Sequence, residues 1–404
     1  MKKFVSICLC AFGLCLAALS SVRAEPAPPI VSAESAILVD AVTGKVLYEK
    51  RCRVRRPPAS TTKMMTAILA LENGELKDTV CASKDACDMQ FSSLHLKPGE
   101  KMTLSDLLYG LLLRSGNDAA VCVAEHIGGS ETKFVEMMNE KATEIGAKDT
   151  HFVNPHGLHH AKHYSTAYDL ALIARYAIKT PIFNDIVQTK TARIERSMNP
   201  KDAYLKNTAR FLWRFDGADG IKTGYTKEAG HCFVGSATRG AWRLIAVALK
   251  SEEAGADTEA LLNYGFKHFK QVCFARTNEV LTTAAVSGGV TDKVGLVPEK
   301  DLSLVLKQSA KAETKTDIAA GEVHAPVTKG EKLGTLTGYL NGEKIGCVDL
   351  LAAQSVDRTL VATVWFWARP TLITCMAFLV GFISYGTAVA KAARRRRRSL
   401  ASRC

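Results

Sequence analysis

The segment from Pro57 to Leu71 begins with two prolines and continues as a nearly charge-free apolar stretch. It ends just before an Asn-Gly stop signal at residues 73 and 74. The prolines end an extended segment, and the run has helical length, so we predict a helix that is apolar on all sides. Such a helix belongs in the core of a domain. Its first turn nevertheless carries Ser60 and Lys63, and the three-residue spacing places them on one face.

The lysine in this predicted core helix suggests chemistry. An ammonium group there is costly unless it is paired or used, and burial lowers the pKa of a lysine towards that of a proton acceptor. Ser60 would be a nucleophile and Lys63 its base, beside free backbone N–H groups that stabilise an oxyanion. The structural alternative is a serine cap with a lysine that reaches solvent.

Two more motifs are candidates for the same site. Ser115-Gly116-Asn117 separates a helix that starts at a capping box at Thr103 from one that opens at Asp118, and it would present a hydroxyl and an amide to a cleft. Lys222-Thr223-Gly224 lies in a predicted strand, where an ammonium and a hydroxyl can bind a carboxylate and a glycine permits close approach. Each motif alone also fits an ordinary turn or hairpin.

Together and in this order, the three motifs resemble the Ser-x-x-Lys, Ser-x-Asn and Lys-Thr-Gly set of penicillin-binding proteins and serine β-lactamases. From about residue 36 to residue 353 the sequence is most similar to low-molecular-mass penicillin-binding proteins, the serine-type D-alanyl-D-alanine carboxypeptidases of the peptidase S11 type. The segments that carry the resemblance are 58–63, 113–120, 152–158, 219–226 and 262–266.

The resemblance implies an α+β fold of the β-lactamase/transpeptidase type, with an antiparallel sheet, helices and an all-helical subdomain. It implies hydrolysis of the terminal D-Ala-D-Ala bond of peptidoglycan stem peptides through a serine acyl-enzyme, with no cofactor or metal and with β-lactams as covalent inhibitors. The implied catalytic residues are Ser60, Lys63 and Ser115. The implied substrate-binding residues are Asn117, Lys222, Thr223, Gly224 and Tyr225, with the N–H groups of Ser60 and Tyr225 as the oxyanion hole.

One departure from the family concerns substrate binding. Family members often carry an arginine that helps to bind the substrate carboxylate, whereas the segment 251–257 has none, which leaves Arg239, Arg243 and Lys250 as candidates. A D,D-endopeptidase and a non-catalytic wall-binding scaffold therefore stay open as alternatives. A serine β-lactamase is a lesser one.

Both termini carry targeting patterns. Residues 1–24 have two lysines, an apolar run and small residues before the cleavage position, as in a secretory signal peptide. Residues 370–390 lack charges and are long enough to cross a bilayer, with Trp365, Phe366 and Trp367 before them and a basic tail after them. We predict a single-pass membrane protein with an extracytoplasmic catalytic domain and a cytoplasmic tail at residues 391–404.

The net charge follows from these ends. Of the formal +13, three charges lie in residues 1–24 and seven in residues 391–404, which leaves +3 for residues 25–390. The sequence therefore predicts no nucleic-acid partner. Seven cysteines remain outside the ends, an odd number at irregular spacing, so we expect no disulfide framework, with Cys81 and Cys87 as one possible pair and the others as small buried side chains.

The remaining chain divides into two predicted domains. We predict a catalytic domain at residues 25–273, a small all-β domain at residues 274–356 that acts as a spacer, and a juxtamembrane segment at residues 357–369. Four histidines between residues 156 and 163 also allow a zinc hypothesis. They lack the His-Glu-x-x-His pattern, and the family resemblance assigns His156 to a structural loop.

Overall fold

The computed structural model describes residues 27–401, with side chains as far as Arg395, so the predicted signal peptide lies outside the described residues. The chain forms two compact units. Among the described residues, the first unit contains 27–271 together with 305–309, and the second contains 272–304 and 310–401.

The first unit combines one five-stranded sheet with two groups of helices. Its helices are α1 (Lys63–Asn73), α2 (Lys84–Cys87), α3 (Leu104–Tyr109), α4 (Asn117–Gly128), α5 (Glu131–Ile145), α6 (Ala167–Ala177), α7 (Pro181–Gln188), α8 (Phe211–Arg214) and α9 (Ala254–His268). Its strands are β1 (Ser35–Asp40), β2 (Val46–Lys50), β3 (Thr79–Cys81), β4 (Lys101–Thr103), β5 (Thr191–Arg193), β6 (Tyr204–Lys206), β7 (Ala218–Thr226), β8 (Gly230–Arg239) and β9 (Trp242–Ser251).

The large sheet has the order β2-β1-β9-β8-β7, with antiparallel neighbours. The sheet begins with the hairpin of β1 and β2, and β8 and β9 follow the Lys-Thr-Gly strand β7 along the chain. Every residue of β1 is buried, because helices cover both faces of the sheet. Strand β7, which carries the Lys-Thr-Gly motif, is an edge strand, so one of its sides is free of strand pairing.

Helix α1 is the buried centre of the helical part, as predicted. Its residues from Lys63 to Ala70 are all buried, and they form part of one hydrophobic cluster with the facing sides of α4 and α6. A 3-10 turn, Ala59–Thr62, precedes α1. Ser60 therefore lies in this turn and Lys63 is the first residue of the α-helix. The chain leaves the helix at Gly74 in an extended conformation.

The capping box at Thr103 is confirmed, since the Thr103 hydroxyl accepts a hydrogen bond from the Asp106 N–H at 3.0 Å. The helix that follows is not uniform. It changes at Gly110 into a π-helical turn, Gly110–Arg114, and then reaches Ser115 in a left-handed conformation with φ 65° and ψ 32°. A wider turn of this kind changes the direction of the chain at functional sites.

A buried polar cluster fixes the loop that precedes α3. The Asp118 carboxylate accepts hydrogen bonds from Ser93 Oγ at 2.6 Å and from the Leu94 N–H at 2.9 Å. The Arg196 guanidinium and the Glu100 carboxylate form a bidentate pair at 2.8 and 3.0 Å with both side chains inaccessible to solvent. Removing one partner of such a pair typically costs about 3–5 kcal/mol.

The second unit consists of β-strands and one long helix. The remaining strands of the chain are β10 (Phe269–Ala275), β11 (Thr282–Ser287), β12 (Lys293–Pro298), β13 (Leu302–Lys307), β14 (Thr314–Ala320), β15 (Val323–His324), β16 (Lys332–Leu340) and β17 (Glu343–Ala352). Six of them form a sheet with the order β14-β16-β17-β12-β11-β15. The long helix is α10 (Leu360–Ala401). By length and composition, α10 can cross a membrane, and none of its apolar window is buried.

The cysteine predictions are only partly correct. Cys81 and Cys87 are both free thiols, so the possible pair between them is not formed. Cys52, Cys122 and Cys232 are buried as expected, whereas Cys273 and Cys347 are exposed. Cys273 lies in β10 and Cys347 in β17, two strands of different sheets in which buried and more exposed residues are mixed, so burial does not follow from residue type.

Candidate active site

Lys63 and Ser60 are in direct contact. Lys63 Nζ lies 2.9 Å from Ser60 Oγ, 2.7 Å from Asn117 Oδ1 and 2.7 Å from the His156 carbonyl oxygen. The lysine side chain has no solvent exposure, and Ser60 makes no helix-capping hydrogen bond. The alternative of a serine cap beside a solvated lysine is therefore wrong.

A second lysine and serine repeat this arrangement across the site. Lys222 Nζ lies 3.0 Å from Ser115 Oγ and 3.1 Å from the Thr223 carbonyl oxygen, and its residue is 1 % exposed. The left-handed backbone at Ser115 directs its hydroxyl at β7. Lys222 Nζ therefore lies behind Ser115.

Burial governs the protonation of both lysines. Desolvation holds the pKa of Lys63 well below its usual value, the nearby Lys222 lowers it further, and the Asp118 carboxylate opposes the shift. Burial also lowers the pKa of Lys222 to about 7. A neutral amine beside a serine hydroxyl is therefore accessible near neutral pH, and such an amine accepts the proton of a nucleophile.

Asn117 links three parts of the site. Its Oδ1 accepts the Lys63 hydrogen bond, its Nδ2 donates to the Gln90 carbonyl oxygen at 2.8 Å, and its backbone N–H donates to the Ser92 carbonyl oxygen at 2.7 Å. The side-chain amide keeps one N–H for a further partner. Asn117 thus connects the lysine of α1 with the loop around residue 91.

Strand β7 passes very close to Ser60. An added Cβ atom on Gly224 would lie 2.8 Å from the Ser60 nitrogen and 3.1 Å from Ala59 Cβ. Because Gly224 has no side chain, β7 can lie against the turn that carries Ala59 and Ser60. The sequence predicts that this glycine permits the close approach of a substrate, and the glycine serves this packing as well. The packing brings β7 and the Tyr225 that follows Gly224 beside the backbone N–H of Ser60.

These groups border one cleft of about 1220 Å³. Ser60, Ser115, Asn117 and the exposed residues of β7 line it, while Lys63 and Lys222 lie behind the serines. Thr223 Oγ1 lies 3.0 Å from Thr208 Oγ1. The predicted site residues that line the cleft are Ser60, Ser115, Asn117, Thr223, Gly224 and Tyr225.

The three candidate cations that the sequence offered for the missing arginine lie elsewhere. Arg243 pairs with Asp219 at 3.1 Å, Lys250 pairs with Glu34 at 2.9 Å, and the Arg239 guanidinium stacks over Phe215 and Phe266. None of them lines the cleft.

Arg210, Arg214 and Lys227 line the cleft instead. Arg214 lies 3.3 Å from the Glu259 carboxylate, whereas Arg210 makes no ion pair within the described part of the chain. Sequence reasoning missed both arginines. No local pattern in the sequence marks them, because the packing of α8 against β7 brings this segment to the cleft.

The histidines are arranged for packing. Burial lowers the pKa values of His156 and His163 to about 3, so both rings are neutral. His163 Nδ1 accepts from the Val153 N–H at 3.1 Å, which leaves Nε2 to donate to Thr62 Oγ1 at 2.9 Å. Among residues 27–395, no group of three or more His, Cys, Asp or Glu side chains is arranged to hold a metal ion.

Comparison with known proteins gives two family matches. Residues 22–253 match the peptidase S11 family, described as D-alanyl-D-alanine carboxypeptidase, and residues 269–358 match the C-terminal domain of penicillin-binding protein 5. The D-alanyl-D-alanine carboxypeptidase DacF of Bacillus subtilis is 38% identical over 336 residues, which cover 81% of this chain and 86% of the relative.

Two more similarities extend over most of the chain. The D-alanyl-D-alanine carboxypeptidase DacA of Escherichia coli K12 is 34% identical over 372 residues, 85% of this chain and 91% of the relative. Penicillin-binding protein 5 from Haemophilus influenzae has a solved structure with a TM-score of 0.63 and 28% identity, covering 83% of this chain and all of that one.

The buried Lys222 predicts a particular dependence of stability on pH. Its pKa is about 7 in the folded protein and near 10.5 when exposed, so between these values the unfolded chain binds more protons than the folded one. Stability should therefore rise with pH across this window. We expect the wild-type protein to gain more thermal stability than Lys222→Met between pH 7 and pH 10. The measurement is the unfolding midpoint of both proteins in detergent, and equal gains would contradict the prediction.

Proposed function

The chain belongs to the peptidase S11 family of D-alanyl-D-alanine carboxypeptidases, and on this premise we propose how its own residues carry out the hydrolysis. The enzyme is a serine hydrolase with the fold of the low-molecular-mass penicillin-binding proteins. The observation that carries the proposal is the contact between Ser60 Oγ and the fully buried Lys63 Nζ at 2.9 Å.

In the acylation step, neutral Lys63 removes the proton of the Ser60 hydroxyl. Ser60 Oγ attacks the carbonyl carbon between the two terminal D-alanines, and the carbonyl oxygen takes the negative charge. We propose the backbone N–H groups of Ser60 and Tyr225 as its donors. The support is the close approach of β7 to the Ser60 nitrogen that Gly224 permits.

When the tetrahedral intermediate collapses, the C–N bond breaks and the leaving D-alanine needs a proton. We assign its delivery to Ser115, whose hydroxyl lies 3.0 Å from Lys222 Nζ. The pKa of Lys222, lowered by burial to about 7, suits a group that gives and regains a proton near neutral pH. Water then attacks the acyl-enzyme and releases Ser60. A β-lactam that acylates Ser60 would be held as a slowly hydrolysed ester.

We propose that Thr223, Thr208 and Arg210 bind the terminal carboxylate of the substrate. The two threonine hydroxyls are 3.0 Å apart, and Arg210 lines the same cleft without an ion pair among the described residues. A guanidinium matches a carboxylate in charge and geometry. Arg210 thus takes the role that the sequence left open. Lys222, which the family pattern assigns to carboxylate binding, contributes charge from behind Ser115.

The domain division and the membrane topology are proposals of the same kind. We propose a catalytic domain at residues 25–273 and an all-β domain at residues 274–356, supported by the two family matches and the two compact units. We propose that residues 370–390 of α10 cross the membrane. Their apolar side chains are exposed in the protein, so lipid is their natural surrounding. The catalytic domain would be extracytoplasmic.

The variant Ser60→Ala tests the proposed nucleophile. We expect the detergent-solubilised wild-type protein to release D-alanine from diacetyl-Lys-D-Ala-D-Ala and to be labelled by fluorescent penicillin, and we expect Ser60→Ala to lose both activities because it lacks the attacking oxygen. Labelling without release would favour an endopeptidase or a binding protein. Release that survives in Ser60→Ala would contradict the proposed nucleophile.

Two arginines of the cleft can be compared to test the proposed carboxylate site. Arg210→Gln should raise KM for the same peptide by about tenfold, because it removes a charge that contacts the terminal carboxylate. Arg214→Gln serves as the matched control, since Arg214 already lies beside Glu259. Steady-state kinetics with both variants test this assignment, which fails if the two variants change KM equally or if only Arg214→Gln changes it.

Protease digestion tests the proposed membrane topology. A tag placed after residue 404 should resist protease in intact spheroplasts and be digested in inverted membrane vesicles, because the basic tail stays on the cytoplasmic side. The catalytic domain should show the opposite pattern. Digestion of the tag in spheroplasts would reverse the proposed orientation.

A further inference from the structure

Phe91 is an apolar residue that the fold displays in the active-site cleft. It is 79 % exposed, although phenylalanine is usually found in the interior, and it lines the same cleft as Ser60 and Asn117. Its φ angle of 70° is in the left-handed region. This conformation is uncommon for a bulky residue and persists only where the surrounding structure determines it.

The surrounding structure does determine it, through the site asparagine. The residues on both sides of Phe91 accept hydrogen bonds from Asn117: the Gln90 carbonyl from Nδ2 at 2.8 Å, and the Ser92 carbonyl from the backbone N–H at 2.7 Å. Asp118 binds Ser93 in the next position. Asn117 therefore holds the loop that carries the Phe91 ring, and the same Asn117 accepts a hydrogen bond from Lys63, the lysine that contacts Ser60.

A residue that is both exposed and held in an unfavourable conformation suggests a ligand contact. The large apolar ring of Phe91 is left exposed to water, and it borders a cleft in which a bound molecule would cover it. Aromatic surfaces in such clefts supply binding energy and selectivity when a ligand excludes water from them.

The geometry of the proposed reaction tells which part of the substrate reaches Phe91. Thr223 lies in β7 and contacts Thr208, two residues before Arg210, so the proposed carboxylate site is at this strand. With the scissile carbonyl at Ser60, the acyl part of an extended peptide would point away from that carboxylate, to where Asn117 and Phe91 line the same cleft.

We infer that Phe91 is a specificity-determining residue that contacts the side chain of the amino acid preceding the two terminal D-alanines. The inference rests on the proposed function. The ring favours a long side chain with an aliphatic or aromatic part in this position, because such a chain covers the ring and buries apolar surface on both partners. A glycine in the same position offers no such contact.

The experiment compares two peptides and two variants in the full-length protein. Phe91→Asn removes the ring and keeps a residue that tolerates the left-handed backbone, while Phe91→Leu keeps an apolar side chain. We expect Phe91→Asn to lower kcat/KM for diacetyl-Lys-D-Ala-D-Ala by about tenfold and to leave acetyl-Gly-D-Ala-D-Ala unchanged. Phe91→Leu should retain most of the preference for the lysyl peptide.

Two results would overturn the inference. Equal loss with both peptides would mean that Phe91 positions Asn117 and makes no contact with the substrate side chain, and no loss with either would mean that the ring is not a binding surface. Unfolding midpoints equal to wild type for both variants ensure that the comparison reports on binding.

A second assay separates this inference from the proposed function. Acylation by benzylpenicillin, which has an aromatic acyl side chain, is compared with acylation by 6-aminopenicillanic acid, which has none. We expect Phe91→Asn to slow only the first, and an equal effect on both would count against the inference. If the wild-type protein releases no D-alanine, the proposed carboxypeptidase reaction fails, and the acylation rates still decide the role of Phe91.

Discussion

Two lysine side chains without access to solvent, Lys63 and Lys222, set the conditions under which this site works. A charged ammonium group in the protein interior carries a large desolvation cost, and two such groups repel each other. Both effects lower the pKa of Lys63, and burial alone lowers that of Lys222. The fold thus supplies amines that can be neutral near neutral pH, each 3.0 Å or less from a serine hydroxyl.

The rest of the first unit holds these two pairs in place. Helix α1 is buried on all sides and fixes Lys63, the π-helical turn before Ser115 directs that hydroxyl at β7, and Gly224 lets β7 approach Ser60. Asn117 is the common partner, because its side chain contacts Lys63 and the loop that carries Phe91. Catalytic groups and substrate surface are therefore parts of one hydrogen-bonded cluster, with little freedom to move separately.

Much of this was predictable from the sequence. The apolar run of α1 and the capping box at Thr103 depend on contacts near in sequence, and these predictions are confirmed. The three motifs indicated the family because each one combines residue types and spacing that serve a known chemistry. The predictions that failed concern surfaces. The pair Cys81 and Cys87 is not formed, and Cys273 and Cys347 are exposed.

The sequence by itself determined which side chains are available, that Ser60 and Lys63 share one face, and that the chain carries a segment apolar enough to cross a membrane. Only the tertiary structure decided which cations reach the cleft, since Arg210, Arg214 and Lys227 line it whereas Arg239, Arg243 and Lys250 are engaged elsewhere. The tertiary structure also decided that Phe91 is exposed in the cleft, because the loop of Phe91 is held by Asn117, 26 positions later in the chain. The physical reason is that local periodicity fixes neighbours within a turn or a strand, whereas contacts between distant segments follow from how the elements pack.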